Sequence, residues 1–348
     1  MHALTFGGRE TIDYRPVPDP VLMAPTDVIV TITMAGICGS DLHIYHGRET
    51  GLDPGIVMGH EFTGIVAEAG KDVRKFPAGT RVISPFTTSC GDCFYCRFGL
   101  TCRCEKGSLF GWVQKGQGLQ GAQATSIRVP MADSTLLPLS SDLDEARGLL
   151  LGDVFSTGYF CAENAGIRPG AVYAVVGCGP VGLMAVLAAK QLGAETLLAI
   201  DFIPARLQQA RQFGAEILNG RELDIKDAIL QRTRGRGVDA VMEVVGSAQS
   251  LRMEMDIIRP GGTISSVGVH TAPDFSFSPG EAYDKNLIYK TGRCPAYYYA
   301  EKLLREEIPQ RYPIDSIITH RFALSQGAEA YTVFDQKLDN CIKAVLVN

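Results

Sequence analysis

No segment of the chain carries the roughly 20 unbroken apolar residues that a membrane-spanning helix needs. Its opening, Met1 to Arg9, lacks the basic start and apolar middle of a secretory signal. Together these absences lead to the expectation of a cytoplasmic protein. Thiols stay reduced in that compartment, so disulfides are not the expected use of the ten cysteines. There is also no excess of positive charge: 33 Lys and Arg against 38 Asp and Glu leave a formal net charge of −5. Such a balance gives no basic footprint for nucleic acid and no reason to expect an anionic membrane as partner. Internal repeats and low-complexity tracts are missing as well.

What is present suits a soluble globular protein, with 348 residues, 46% hydrophobic and 20% charged. At about 150 residues per domain the length suggests two domains, one perhaps split by the other. Up to about residue 150 the chain reads as short strands broken by Gly and Pro. Asp27–Ile32 alternates, and Gly64–Gly70 and Gly79–Ile83 look similar, a pattern that suggests a partly open β-barrel. From about residue 155 the rhythm changes. Ala171–Val176 and Thr196–Ile200 read as buried strands. Leu183–Leu192 reads as a helix stopped by Gly193, and Pro204 and Gly214 bracket another. Further strands are expected at Asp239–Val245, Thr263–Val267 and Leu287–Lys290. Strands alternating with helices mean βαβ units and a parallel, doubly wound sheet. The segment after about residue 295 reads as a return to the first domain.

Three groups of residues carry chemistry. Gly177-Cys178-Gly179-Pro180-Val181-Gly182 is G-x-G-x-x-G after a predicted strand and at the opening of a helix. Gly177 would allow the tight turn, Gly179 a close approach of the backbone to a pyrophosphate, and Gly182 close helix–strand packing. Asp201 lies 19 residues beyond Gly182. A carboxylate there can bond the adenosine ribose and would repel a 2′-phosphate, which favours NAD over NADP. An ordinary glycine-rich turn is the plainer alternative.

Cys90, Cys93, Cys96 and Cys104 form C-x2-C-x2-C-x7-C, which suits a closed, structural zinc site. Cys102 in the same loop leaves the fourth ligand open, and a redox dithiol is the rival use. The third group is scattered: Cys38-Gly39-Ser40-Asp41-Leu42-His43, Gly59-His60-Glu61 and Gly152-Asp153. Each fragment alone is weak, because a lone Cys usually fills core and a lone His is usually a surface or satisfied core residue.

These motifs, with Gly36–His43, Val238–Gly246, Arg259–Thr263 and Cys341-Ile342-Lys343, resemble the zinc-containing alcohol dehydrogenases of the medium-chain dehydrogenase/reductase superfamily, over essentially the whole chain. The resemblance implies an α/β protein. A GroES-like, partly open β-barrel would span 1–154 and 295–348, and a Rossmann doubly wound parallel sheet 155–294. It implies a catalytic zinc on Cys38, His60 and Asp153, where many members place a Cys at the third position. Cys161 stands eight residues too late to serve. Asp153 as a helix N-cap is the plain alternative.

The resemblance further implies that Glu61 approaches the metal during exchange and that Ser40 and His43 relay a proton. Their plain alternatives are a cap and a surface residue. Thr157 and Val181 would line the nicotinamide pocket, Arg206 would contact the adenosine ribose or phosphate, and Lys343 would lie near the pyrophosphate. Phe86, Phe110 and Trp112 are candidates for a substrate wall, although large aromatics more often fill core. The expected protein holds two zinc ions per chain and NAD, and oxidises a secondary or small primary alcohol to a ketone or aldehyde. It forms a homo-tetramer, with a dimer as the alternative. A sorbitol-like polyol or threonine dehydrogenase uses the same scaffold. A zinc-free quinone-reductase-like relative or a non-catalytic binding protein lacks the Cys38/His60 pair and the cysteine loop.

Overall fold

The computed structural model describes all 348 residues. They form two compact units, Met1–Ser156 with Pro295–Asn348, and Thr157–Cys294. The boundary falls inside the helix Val154–Ala165, two residues later than the sequence sets it. No helix is long and apolar enough to cross a membrane.

The first unit is built on one strand, Val28–Gly36. On one edge it pairs antiparallel with Phe62–Ala69, with register shifts after Ile29 and Ile32. Its other edge is shared: Ser126–Val129 pairs with its first half and Lys343–Val347 with its second. Register shifts bend and twist a strand, so this one can serve two partners along one edge and curve the seven-stranded sheet towards a barrel. Val28, Val30 and Ile32 point inward with Val66, Val82, Ile127 and Leu346, the period-2 signature of a half-buried strand. Residues 295–348 contribute the strands Ile318–Ala323 and Lys343–Val347 and the helix Gly327–Gln336.

In the second unit six parallel strands stand in the chain order 3-2-1-4-5-6: Glu216–Asn219, Thr196–Asp201, Val172–Val176, Val238–Glu243, Ile258–Ser266 and Ile288–Thr291. This is the Rossmann order, whose ligand crevice lies beyond the carboxyl ends of strands 1 and 4. Strands 1 and 4 read as near-continuous apolar runs because both faces are covered.

The helix Ala248–Ile257 on this sheet carries an anomaly. Ser247 and Ser250 close a capping box at its start, and Leu251 and Met255 face the core. Glu254 is also fully buried, and neither carboxyl oxygen has a hydrogen-bond partner. Burial, with Glu243 nearby, pushes its pKa well above the ordinary carboxylate value. A carboxyl raised in the folded state binds more protons there than when unfolded, so its contribution to stability falls as pH rises above about 4.5. Glu254→Met fills the same space without a polar atom. It is expected to stabilise the protein by about 1–3 kcal/mol at neutral pH, with a larger gain at pH 8 than at pH 5. Thermal unfolding of the two proteins across that range measures it.

Candidate active site

Two clusters of metal-ligating side chains lie in the first unit. In one, ligand atoms of Cys38, His60, Glu61 and Asp153 all fall within 4.8 Å of one another. Cys38 follows the end of Val28–Gly36, His60 and Glu61 precede Phe62–Ala69, and Asp153 precedes the helix that begins at Val154. The antiparallel pairing of the two strands therefore brings Cys38 beside His60. Asp153 Oδ2 lies 3.4 Å from Cys38 Sγ and 3.3 Å from His60 Nε2. Bonds of about 2.0–2.3 Å around a tetrahedral zinc would set ligand atoms about 3.3–3.8 Å apart, so this spacing fits the ion.

The chemistry of the donors fits as well. Burial, with the carboxylates of Asp153 and Glu61, pushes the Cys38 thiol up to about 11. A divalent cation is what would let a thiolate stand in such company. Burial opposes charge on His60, but Asp41, Asp153 and Cys38 outweigh it and hold its pKa well above the usual value.

Asp41 was not among the residues singled out from sequence. Its Oδ1 lies 3.2 Å from His60 Nδ1, and its Oδ2 accepts from the Cys38 amide at 2.9 Å. A carboxylate behind a ligating imidazole fixes which ring nitrogen faces the metal. The signal was available: an acid three residues past a candidate thiolate ligand.

The Lys343 side chain, for which the resemblance implies a place near a pyrophosphate, is fully buried in the first unit. The ammonium donates to Ile37 O at 2.9 Å and to the two Glu61 oxygens at 2.7 and 2.5 Å. The same pair engages both oxygens of Glu61, whose carboxylate lies among the candidate ligands but is held by the lysine.

Ser40 occupies the N-cap position of the short helix Asp41–Tyr45 without a side-chain cap bond. His43 Nδ1 is buried with no hydrogen-bond partner, although Glu49 lies 3.9 Å away. Burial, with Arg48, lowers the His43 pKa, so its imidazole is neutral at pH 7. Phe86 stands edge-on to the His60 ring at 6.2 Å. Phe110 packs against Phe62 inside the core, and Trp112 opens a short hairpin strand.

The other cluster is Cys90, Cys93, Cys96 and Cys104, again within 4.8 Å. The Cys90 amide lies 3.2 Å from Cys104 Sγ, and the Cys93 amide lies 3.3 Å from Cys90 Sγ. Backbone N–H groups aimed at sulfur favour thiolates. Amides at Glu105 and Cys96 draw Cys93 down to about 6, while burial and Cys93 push Cys96 up to about 12. Four thiols this close cannot all ionise without a cation among them. Cys102 is buried beside the cluster but is not part of it.

In the second unit Gly177–Gly182 follows the strand Val172–Val176 and opens the helix Pro180–Gln191. A Cβ on Gly182 would meet the Gly177 carbonyl at 1.8 Å, so helix and turn approach as closely as only glycine permits. A Cβ on Gly179 would meet nothing nearer than Arg206 Nη1 at 3.7 Å. No side chain caps the helix start. Open space, a bare helix N-terminus and a neighbouring guanidinium suit a phosphate. Arg206 Nε is buried and has no partner. Asp201 ends the strand Thr196–Asp201. Its Oδ1 accepts from Phe202 N and Ile203 N at 2.6 and 2.9 Å, and its Oδ2 accepts from Cys178 N at 2.7 Å. One of about four lone-pair directions thus stays open for a ribose hydroxyl. Val181 and Thr157 are both half-buried in the helices that begin at Pro180 and Val154.

Comparison with known proteins agrees with this architecture. Residues 24–140 match the alcohol dehydrogenase GroES-like domain, and residues 180–298 match the zinc-binding dehydrogenase domain. The chain is 40% identical to zinc-type alcohol dehydrogenase B of Aspergillus flavus, over 96% of this chain and 79% of that one. Among solved structures it is similar to an alcohol dehydrogenase from Thermus sp. ATN1, with a TM-score of 0.92 and 37% identity, covering 100% of this chain and 99% of that one. It is also similar to a protein described as a zinc-binding dehydrogenase from Sinorhizobium meliloti, bound to NADP. That match has a TM-score of 0.83 and 25% identity, over 100% and 99% of the two chains. Such similarity along the whole chain makes this protein an oxidoreductase, and it belongs to the zinc-type alcohol dehydrogenases of the medium-chain dehydrogenase/reductase superfamily.

Proposed function

We propose that the protein oxidises a secondary or small primary alcohol to its ketone or aldehyde with NAD, using a catalytic zinc on Cys38, His60 and Asp153. The observation that carries this reading is the convergence of those three side chains at zinc-ligand spacing. Cys38, His60 and Asp153 would hold a zinc ion, which would supply the Lewis acidity that makes an alcohol easier to deprotonate, and a bound nicotinamide would supply the hydride acceptor. The chain's own residues do the rest. Asp41 holds the His60 ring. The Ser40 hydroxyl, free of capping, takes the alcohol proton, and His43, neutral at pH 7, passes it on towards solvent. Phe86, edge-on to His60, supplies an apolar wall.

Elemental analysis is expected to give two zinc ions per chain, one on each cluster. A panel of primary, secondary and polyol substrates, followed by the absorbance of the reduced nicotinamide, separates this reading from a polyol or threonine dehydrogenase. Turnover of polyols or threonine alone would overturn it. A protein with these reduced thiols fits the cytoplasm, and the exposed edge strand Ile288–Thr291 fits pairing with a second copy in a homo-tetramer.

NAD is expected to exceed NADP in kcat/KM, because the Asp201 carboxylate would face a 2′-phosphate. Asp201→Asn removes the charge and keeps an oxygen for the turn amides. It is expected to narrow the preference by about tenfold, the effect of about 1.4 kcal/mol. An unchanged ratio would show that Asp201 is not the discriminator.

A further inference from the structure

We propose that Gln123 and Tyr331 are positioning residues which, acting through Asp41, hold His60 in the orientation its metal needs. The inference rests on the zinc reading of Cys38, His60 and Asp153.

Asp41 is the place to begin, because a buried carboxylate at 2% exposure needs donors on both oxygens. Oδ1 faces His60 Nδ1. Oδ2 accepts from the Cys38 amide and, at 3.2 Å, from Gln123 Nε2. Gln123 is itself fully buried, and its Nε2 also donates to the Gly36 carbonyl at 3.1 Å. A carboxylate and a carbonyl can only accept, so the NH2 end of the amide must point at them and the flipped amide is excluded. Gln123 Oε1 then faces the other way and accepts from the Tyr331 hydroxyl at 2.9 Å. Tyr331 is fully buried on the helix Gly327–Gln336, 208 residues further along the chain. Its ring also packs 5.4 Å from Tyr45, at the end of the short helix that begins with Asp41.

The result is a chain of bonds with one direction: Tyr331 to Gln123 to Asp41 to His60. Gly59, next to His60, tightens it, because a Cβ there would lie 2.5 Å from Gln123 Cγ. The chain keeps the proton of the neutral imidazole on Nδ1 and leaves the Nε2 lone pair for the metal, on the side of Asp153. Without the Gln123 donor, Asp41 Oδ2 keeps only the Cys38 amide and has reason to turn, taking the imidazole with it.

The test uses the full-length protein with Gln123→Met, which keeps the volume without the polar atoms, and Tyr331→Phe, which removes one oxygen. Zinc is withdrawn from each with a chromophoric chelator. The catalytic site is also loaded with cobalt(II), and its visible bands are recorded. The expected result is a catalytic-site affinity lower by about 10–100-fold in Gln123→Met and by about 3–10-fold in Tyr331→Phe. The cobalt bands should move in both variants, and the four-cysteine site should be unaffected. Unchanged affinity and unmoved bands, whatever happens to the melting temperature, would make both residues merely structural and overturn the proposal. If Gln123→Met does not fold, Tyr331→Phe decides alone. A wild-type protein that holds metal only on the four cysteines would instead bring down the zinc reading, a failure visible before any variant is made.

Discussion

Asp153→Asn is expected to strip zinc from the catalytic cluster and to cut kcat by more than ~100-fold. Groups that merely support a ligand cost about 10–100-fold when lost, and a ligand should cost more. Asp153 Oδ2 stands within 3.4 Å of both Cys38 Sγ and His60 Nε2, the spacing a third zinc ligand would have. The amide of Asn is neutral and a far weaker donor to a divalent ion. The rival role, capping the helix Val154–Ala165, makes the opposite prediction. Asn caps about as well as Asp, so turnover would survive and stability would change by less than ~0.5 kcal/mol. Zinc content and kcat measured on one preparation separate the two. If Asp153 is that ligand, its carboxylate in place of the commoner thiolate would be harder and less electron-donating and would leave a bound zinc the stronger Lewis acid.

What could be read from the sequence follows from the range of the interaction behind each feature. The turn Gly177–Gly182 and the four-cysteine spacing are local, each complete within some fifteen residues, and the structure assembles both where the motifs stand. Local rules also place eight of the seventeen strands, most of those eight to within a few residues. They fail at Ile258–Ser266, which the sequence starts only at Thr263, because Arg259-Pro260-Gly261-Gly262 looks like a turn. The strand absorbs that segment through a register shift against Val238–Glu243. Glu216–Asn219 went unnoticed because four residues carry too little periodicity. Lys343 shows the other limit. Its charge is visible, but nothing near position 343 tells that Glu61, 282 residues away, pairs with it. Asp41 lies between: it is adjacent to a candidate ligand, yet only the fold shows its carboxylate against His60.

The largest effect on stability is expected at the cysteine loop, where Cys93→Ser should lower stability by about 3–5 kcal/mol, in the range set by loss of a bound metal. The loop has little else to hold it. From Gly91 to Leu100 no side chain is buried, and its one helix, Phe94–Arg97, is a single turn. Phe94 and Phe98 stack on each other at 5.9 Å but are 68% and 78% exposed, so they shield little apolar surface. The one nearby ion pair, Asp92 with Arg97, is exposed on both sides and contributes almost nothing. A segment without a core cannot offset the entropy of ordering its backbone, at about 1–2 kcal/mol per residue. Four thiolates on one zinc can offset it. Chelation of the wild type should reproduce the loss, and limited proteolysis should then cut between Cys90 and Cys104 first. The catalytic cluster shares no residue with this loop, so Cys93→Ser protein that remains folded should keep its kcat. A fall in kcat at unchanged melting temperature would show instead that the loop takes part in the chemistry.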